Sequence, residues 1–251
     1  MEFPHADIND HQKELFIRDV EFLNYHINHD KWDWWRMFDI IGAHRFEEDF
    51  CCFDSDCWTI TTTEAGQGDA TEACTDMVNG VLLVTNDSAS GDMDQLVYGC
   101  ECWKLVDNYP LYAEIRFKID DPDAASFWFG LVTGGVWFTN PDDYMVFYIE
   151  DADDDILFAT AKNGTATSVD TTEDLGDLTW IRLGFHYDGA GTVHWFVFRD
   201  SDEYCLATGS WTTNIPDDVE MHIGFGLRND EAAAKHLWVD YIKCAQKRVI
   251  E

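Results

Sequence analysis

Alternation of apolar and polar residues constrains this chain more than any other feature. In LYAEIRFKID, Leu111, Ala113, Ile115, Phe117 and Ile119 alternate with Tyr112, Glu114, Arg116 and Lys118. Successive side chains of a β-strand point to opposite faces, so this pattern turns one face to a core and the other outward. TWIRLGFHYD repeats it, with Ile181, Leu183, Phe185 and Tyr187 set against Trp180, Arg182 and His186. VEMHIGFGLRN sets Met221, Ile223, Phe225 and Leu227 against His222, Gly224, Gly226 and Arg228. TVHWFVFRD, MVFYIED, SFWFGLV and NGVLLVTN are shorter segments of the same kind. KHLWVDYIKCAQKRVIE closes the chain as a strand, with Leu237, Val239 and Tyr241 on one face and His236, Trp238 and Asp240 on the other.

Turn signals separate these segments: NDSASGD, NPDD, KNGTAT, DGAG and NIPDD. Many strands with turns between them, and no helical pattern among them, specify an all-β sandwich or jelly roll. NDEAAAKH is too short for a helix of the fold and reads as a loop. No repeat of a solenoid or propeller is present. A chain of 251 residues is long enough to bury one large β core.

The pattern changes near residue 46. Before it, Phe16, Val20, Leu23 and Ile27 recur at the spacing of an amphipathic helix, which Asn9 or Asp10 would cap. KWDWWRMFDIIGAHRF follows and crowds Trp32, Trp34, Trp35 and Phe38 together. So aromatic a run needs a covering surface, either its own domain or a neighbour. Residues 1–45 therefore read as a helical anchoring arm and residues 46–251 as the sandwich. Phe16, Leu23, Trp34 and Trp35 are the expected interface anchors of the arm, because large side chains in desolvated pockets dominate interface energies. His5, His11, His26, His29 and His44 lie in the same region and read as surface or capping residues, with no metal assigned.

The formal net charge is −33, from 49 acids against 16 Lys and Arg. Such a surface repels phosphate backbones and anionic bilayers, which excludes nucleic acid and membrane as direct partners. No segment approaches the roughly 20 apolar residues of a membrane span. MEFPHADINDHQKEL lacks the basic and apolar regions of a secretory signal, so folding in a cytoplasm is expected. That compartment favours thiols for all eight cysteines. Cys100 and Cys102, in YGCECW, would share the face of a strand as small buried thiols, with no further ligand in sequence to complete a metal set.

Several stretches resemble the concanavalin A-like lectin and glucanase sandwiches, including the laminarinase and laminin-G-like branches. FEEDFCCFDSDCWTI resembles their entry strand. LYAEIRFKI and FWFGLV resemble the two that follow, LTWIRLGFHYDGAGTVHWFVF is similar to the laminin-G-like hairpin, and LWVDYIKCAQ resembles the last strand. The order of these stretches is the family's order. The resemblance implies two stacked antiparallel sheets, one face of which binds glycans in many members. The laminarinase branch carries paired acids in an E-x-D-x-x-E arrangement, and retaining hydrolysis needs two carboxyl groups roughly 5–5.5 Å apart. At the matching place, DYMVFYIED offers only Glu150, so no catalytic residue is assigned and no enzyme is expected. EDADDD supplies acids that a hard cation such as Ca2+ would accept, but mutual repulsion and solvation at a turn are the usual account of such a run; no cofactor is assigned.

A Trp-rich arm, an acidic surface and a sandwich together are similar to the accessory proteins of tailed-phage virions that decorate capsids or form head fibres. The resemblance implies a non-catalytic structural protein on the virion surface, contacting capsid proteins and its own copies, as a trimer in one arrangement. The alternative is a glycan-binding module that meets host-surface glycans, and a glycoside hydrolase is the remote third reading. For the module, Trp128, Tyr148, Arg182, His186 and Arg228 are the candidate glycan-binding residues, since they hold the outward phase of their strands.

Overall fold

The computed structural model describes residues 43–248, apart from 67, 135, 136, 139, 140, 151, 152 and 203. Strands are numbered in chain order, and all pair antiparallel. One eight-stranded sheet has the spatial order β13 (Tyr204–Trp211), β12 (Val193–Arg199), β11 (Ile181–Tyr187), β6 (Leu111–Ile119), β15 (Lys235–Lys247), β4 (Leu82–Asn86) and β3 (Thr71–Cys74). Its eighth strand, β1 (Ala43–Glu48), pairs with the second half of β15, from Ile242 to Lys247. A seven-stranded sheet has the order β10 (Thr165–Asp174), β9 (Asp153–Lys162), β8 (Tyr144–Glu150), β7 (Ala125–Val132), β14 (His222–Asn229), β5 (Met93–Tyr98) and β2 (Trp58–Thr63). The two sheets form the expected β-sandwich.

The apolar phase of each strand meets its counterpart between the sheets. Ile115, Phe117, Leu183, Phe185 and Val197 come from one sheet, and Phe127, Phe129, Phe147, Phe158 and Phe225 from the other; all are buried. Phe117 stacks on Phe127 across the interface, with centroids 4.1 Å apart. Each such side chain contributes roughly 1.5–3 kcal/mol by leaving water, so this aromatic layer dominates the packing. Among the hairpins, β9 and β10 are joined by Asn163 and Gly164, both at positive φ (52° and 73°), as a tight primed turn requires.

Four details differ from the sequence reading. The sheet begins at Ala43, so residues 43–45 belong to β1 and not to an arm. The remainder of the arm, with Phe16, Leu23, Trp34 and Trp35, lies outside the described residues. In β15 the register slips between Val239 and Tyr241, where Val239 faces Phe117 and Tyr241 faces Arg116. A bulge of one residue inverts the phase, so Tyr241 turns outward while Ile242 and Cys244 fill the core. Cys100 and Cys102 follow the end of β5 instead of sharing a strand; Cys100 is exposed and Cys102 only half-buried. The acidic run 150–155 is not all turn, because Asp153 to Asp155 open β9. No helix among the described residues is long and apolar enough to cross a membrane.

Candidate functional site

The five candidate glycan residues do not form one site. Trp128, Tyr148 and Arg228 lie on the outer face of the seven-stranded sheet, whereas Arg182 and His186 lie on the outer face of the other, with the core between them.

On the seven-stranded face Trp128 is 0% exposed and presents no ring to solvent. The sequence makes its seat with Gly224 and Gly226 on the neighbouring strand; a Cβ at Gly226 would stand 2.4 Å from the Trp128 Nε1. The connection between β7 and β8 packs onto the same cluster. Trp137 stacks on Tyr144 with centroids 5.3 Å apart and meets Tyr148 edge-on at 5.3 Å. The Phe138 amide donates to the Gln95 Oε1 at 3.2 Å, and the Arg228 guanidinium lies 5.1 Å from the Phe138 ring centroid. Arg228 also donates to Asp230 and Ser126, at 2.9 Å each. The middle of this face is filled by side chains of the protein itself.

The eight-stranded face carries a polar network. Glu114, on β6, is buried and accepts hydrogen bonds from the hydroxyls of both Tyr112 and Tyr241. Burial, then the Glu114 charge, drives both phenols well above their ordinary range. Asp200 accepts from Arg116 and, at 2.7 Å, from the Arg182 Nε, and Arg116 also donates to Asp240 at 2.6 Å. The Arg182 guanidinium lies 3.9 Å from the Phe198 ring centroid. His186 is 5% exposed beside His194, and burial followed by that neighbour lowers it to about 3. Arg182 is thus held inside the network, and His186 is buried beside His194.

The half-exposed Trp180 stands at the edge of that network, just before β11. Arg116 lies 4.2 Å and Lys118 5.0 Å from its ring centroid; Lys118 is also 4.9 Å from the ring of Trp238, directly opposite it on β15. The remaining surface of Trp180 lines a hollow of about 640 Å³, together with Arg116, Arg199, Asp154, Asp174 and Asp200. Cations, carboxylates and an aromatic surface therefore converge in one concave place. Its signal in the sequence is the outward phase that Trp180 holds in its segment. Its partners Asp154, Asp174 and Asp200 come from the start of β9, the end of β10 and the turn after β12, which no spacing connects.

The carboxylates of Asp154, Asp155 and Asp174 can come within 4.8 Å of one another beside this hollow. Asp174 belongs to β10, so the cluster joins the EDADDD run to a strand 20 residues on. Oxygen donors of this kind suit a hard cation such as Ca2+, and no step is assigned to one.

No family model matches the chain, and no curated protein matches it. Solved structures do. A protein of unknown function from Shewanella oneidensis MR-1 aligns with TM-score 0.62 at 17% identity, over 83% of this chain and 88% of that one. Peanut lectin aligns with TM-score 0.57 at 10% identity, over 84% of this chain and all of the lectin (100%). The CBM2 module of the evolved Dit protein of Lactobacillus casei BL23 phage J-1 aligns with TM-score 0.52 at 11% identity, over 84% of this chain and 98% of the module. An endo-1,3-β-glucanase from Streptomyces sioyaensis is also similar, with TM-score 0.56 at 10% identity over 84% of this chain and 98% of the enzyme. At these identities the likeness shows the fold alone, a concanavalin A-like sandwich.

Proposed function

We propose that this protein is a non-catalytic glycan-binding sandwich, carried on a larger particle of the tailed-phage virion type by its N-terminal segment. The hollow beside Trp180 is the observation that carries the reading. The C–H faces of a sugar ring pack on an indole, and its hydroxyl groups bond to planar carboxylates and guanidiniums. Trp180, Arg116, Arg199, Asp154, Asp174 and Asp200 supply both kinds of surface around a volume within the usual range for small ligands. The fold is shared with a lectin and with a carbohydrate-binding module of a phage protein, which supports joining the two roles.

Two features support a non-catalytic reading. The outward phase of β8 is Tyr144, Val146, Tyr148 and Glu150, with no second acid within that phase of the strand; the acid paired with Glu150 is Asp153, across the turn on β9. In the hollow, Asp174 is exposed and Asp154 half-exposed, so neither is enclosed by apolar side chains. The net charge of −33 keeps copies soluble at high local density and turns nucleic acid away.

A glycan array probed with the full chain tests the site. We expect binding to a restricted set of glycans, a loss of about tenfold or more in Trp180→Ala, and no cleavage of the bound glycans. Equal binding by that variant, with its circular dichroism unchanged, removes the hollow as the site; cleavage removes the non-catalytic assignment. Co-sedimentation with isolated virion shells tests the particle. Failure of the full chain to sediment with them removes that part of the reading and leaves the glycan site standing.

A further inference from the structure

Four apolar side chains are buried where strand phase turns them away from the core. Phe196 and Phe198 of β12 sit opposite Gly184 and Arg182 of β11, and Tyr112 of β6 sits opposite Ala245 of β15. Their strand neighbours Val197, Ala113 and Cys244 fill the core, so these four project from the outer face of the eight-stranded sheet. They pack together as a cluster of their own, and each is 4% exposed or less. A ring on an open sheet face touches its neighbours at the sides and leaves its far end in water; only a second layer buries it fully. All the described strands belong to the two sheets, so none of them lies across this face. The cover is local, because Lys118, His236 and Trp238, further along the same face, are half-exposed.

The buried cluster lies where the chain enters the sheet. Ala43, the first residue of β1, packs against it and pairs with Lys247, two residues beyond Ala245. Residues 1–42 precede Ala43 and carry what a cover needs, the stripe Phe16, Val20, Leu23 and Ile27 and the rings Trp32, Trp34, Trp35 and Phe38. A helix of about 20 residues spans roughly 30 Å, enough to cross four strands set about 4.8 Å apart. Charge agrees, since residues 1–42 hold nine acids against four Lys and Arg, and Arg116, Arg182 and Lys243 hold the outward phase of this face. We infer that, in the dilute free chain, residues 1–42 fold back across β15, β6, β11 and β12 and seal the cluster of Tyr112, Phe196, Phe198 and Ala245. The seat needs neither the glycan site nor a particle. Attachment through the same segment exchanges this seat for a surface of the particle.

Lysine cross-linking of the dilute full chain reads where the segment lies. Lys13 and Lys31 should join to Lys243 or Lys247, on the covered half of the face, and not to Lys162, on the other sheet. In a mixture of isotopically light and heavy chains, the links should stay within one chain. Cys205 packs on the cluster and reads the cover itself, through alkylation followed by peptide mass spectrometry. In the full chain carrying both Trp34→Ala and Trp35→Ala, and in a chain lacking residues 1–42, Cys205 should react about tenfold faster or more, as a thiol gaining access. Cys244, in the core, should stay protected, and the exposed Cys100 should keep its rate. Circular dichroism checks that the shortened chain folds; where it does not, the substituted full chain decides. Links to Lys162 as frequent as those to Lys243 overturn the inference. Mixed light and heavy links overturn it too, by assigning the cover to a second copy. An unchanged Cys205 rate in the deciding variant overturns it as well.

Discussion

Asp94 of one sheet is buried toward Glu72 of the other, where β5 and β3 approach at the edge, and neither of its carboxylate oxygens has a hydrogen-bond partner among the described residues. Asp94 is 0% exposed, and burial, followed by the Glu72 contact, raises it from 3.8 to about 9. At neutral pH the folded protein therefore holds a proton that the unfolded chain releases. A raised carboxyl makes stability fall as pH rises, from the unfolded value near 3.8 through the folded value near 9. One pKa unit is worth about 1.4 kcal/mol, so even part of this shift amounts to several kcal/mol. Asp94→Asn, which keeps the shape and cannot ionise, should be more stable than the wild type at pH 8 and nearly equal to it at pH 4. Urea denaturation at both pH values checks this, and equal stability at pH 8 refutes it.

Glu114 is the centre of the network on the eight-stranded face. Removing its carboxylate leaves the Tyr112 and Tyr241 hydroxyls facing each other without their acceptor. Glu114→Ala should cost about 3–5 kcal/mol, and Glu114→Gln less, because an amide oxygen still accepts. Spectrophotometric titration supplies a second readout. In the wild type two tyrosines should ionise only when the protein unfolds in alkali, as their raised values require.

Gly226 makes the seat of Trp128. A methyl group there stands 2.4 Å from the indole nitrogen and 2.8 Å from the Gln95 Cγ, and both side chains are buried. Gly226→Ala should destabilise by roughly 1–3 kcal/mol as an overpacked site. Its tryptophan fluorescence should shift to longer wavelength as Trp128 meets water. A neutral substitution with an unchanged spectrum would show that Trp128 does not occupy this seat.

Truncation separates the two parts of the chain. Deleting residues 1–42 should leave a folded sandwich, because β1 keeps its pairing with β15. Deleting residues 1–48 should lower the melting temperature, because it strips six paired positions from β15. Phe16→Ala, Leu23→Ala, Trp34→Ala and Trp35→Ala, made in the full chain, should weaken self-association and shell binding without lowering the melting temperature of the sandwich. Sedimentation velocity together with calorimetry reads both. Aggregation of the chain lacking 1–42 would place those residues in the domain's own core.

The sequence by itself determined the class of the fold. Phase alternation in β6, β11, β12 and β14 has one low-energy solution, with the apolar phase inside, and glycine and asparagine mark where the chain reverses. Those are local properties, and these four strands show them in their burial. Only the tertiary structure decided which outward residues meet. A single extra residue in β15 moved Tyr241 from the expected core face to Glu114, and no composition rule marks a bulge. Trp128 and Trp180 both read as outward tryptophans. One lies beneath the β7–β8 connection on two glycines, and the other borders an open hollow, because what covers a strand comes from elsewhere in the chain. The same holds for His44 and Cys102, which touch only because β1 pairs with the last strand. Strand phase depends on neighbouring residues and is legible in sequence. A site depends on contacts between distant segments, and those exist only once the sheets have closed.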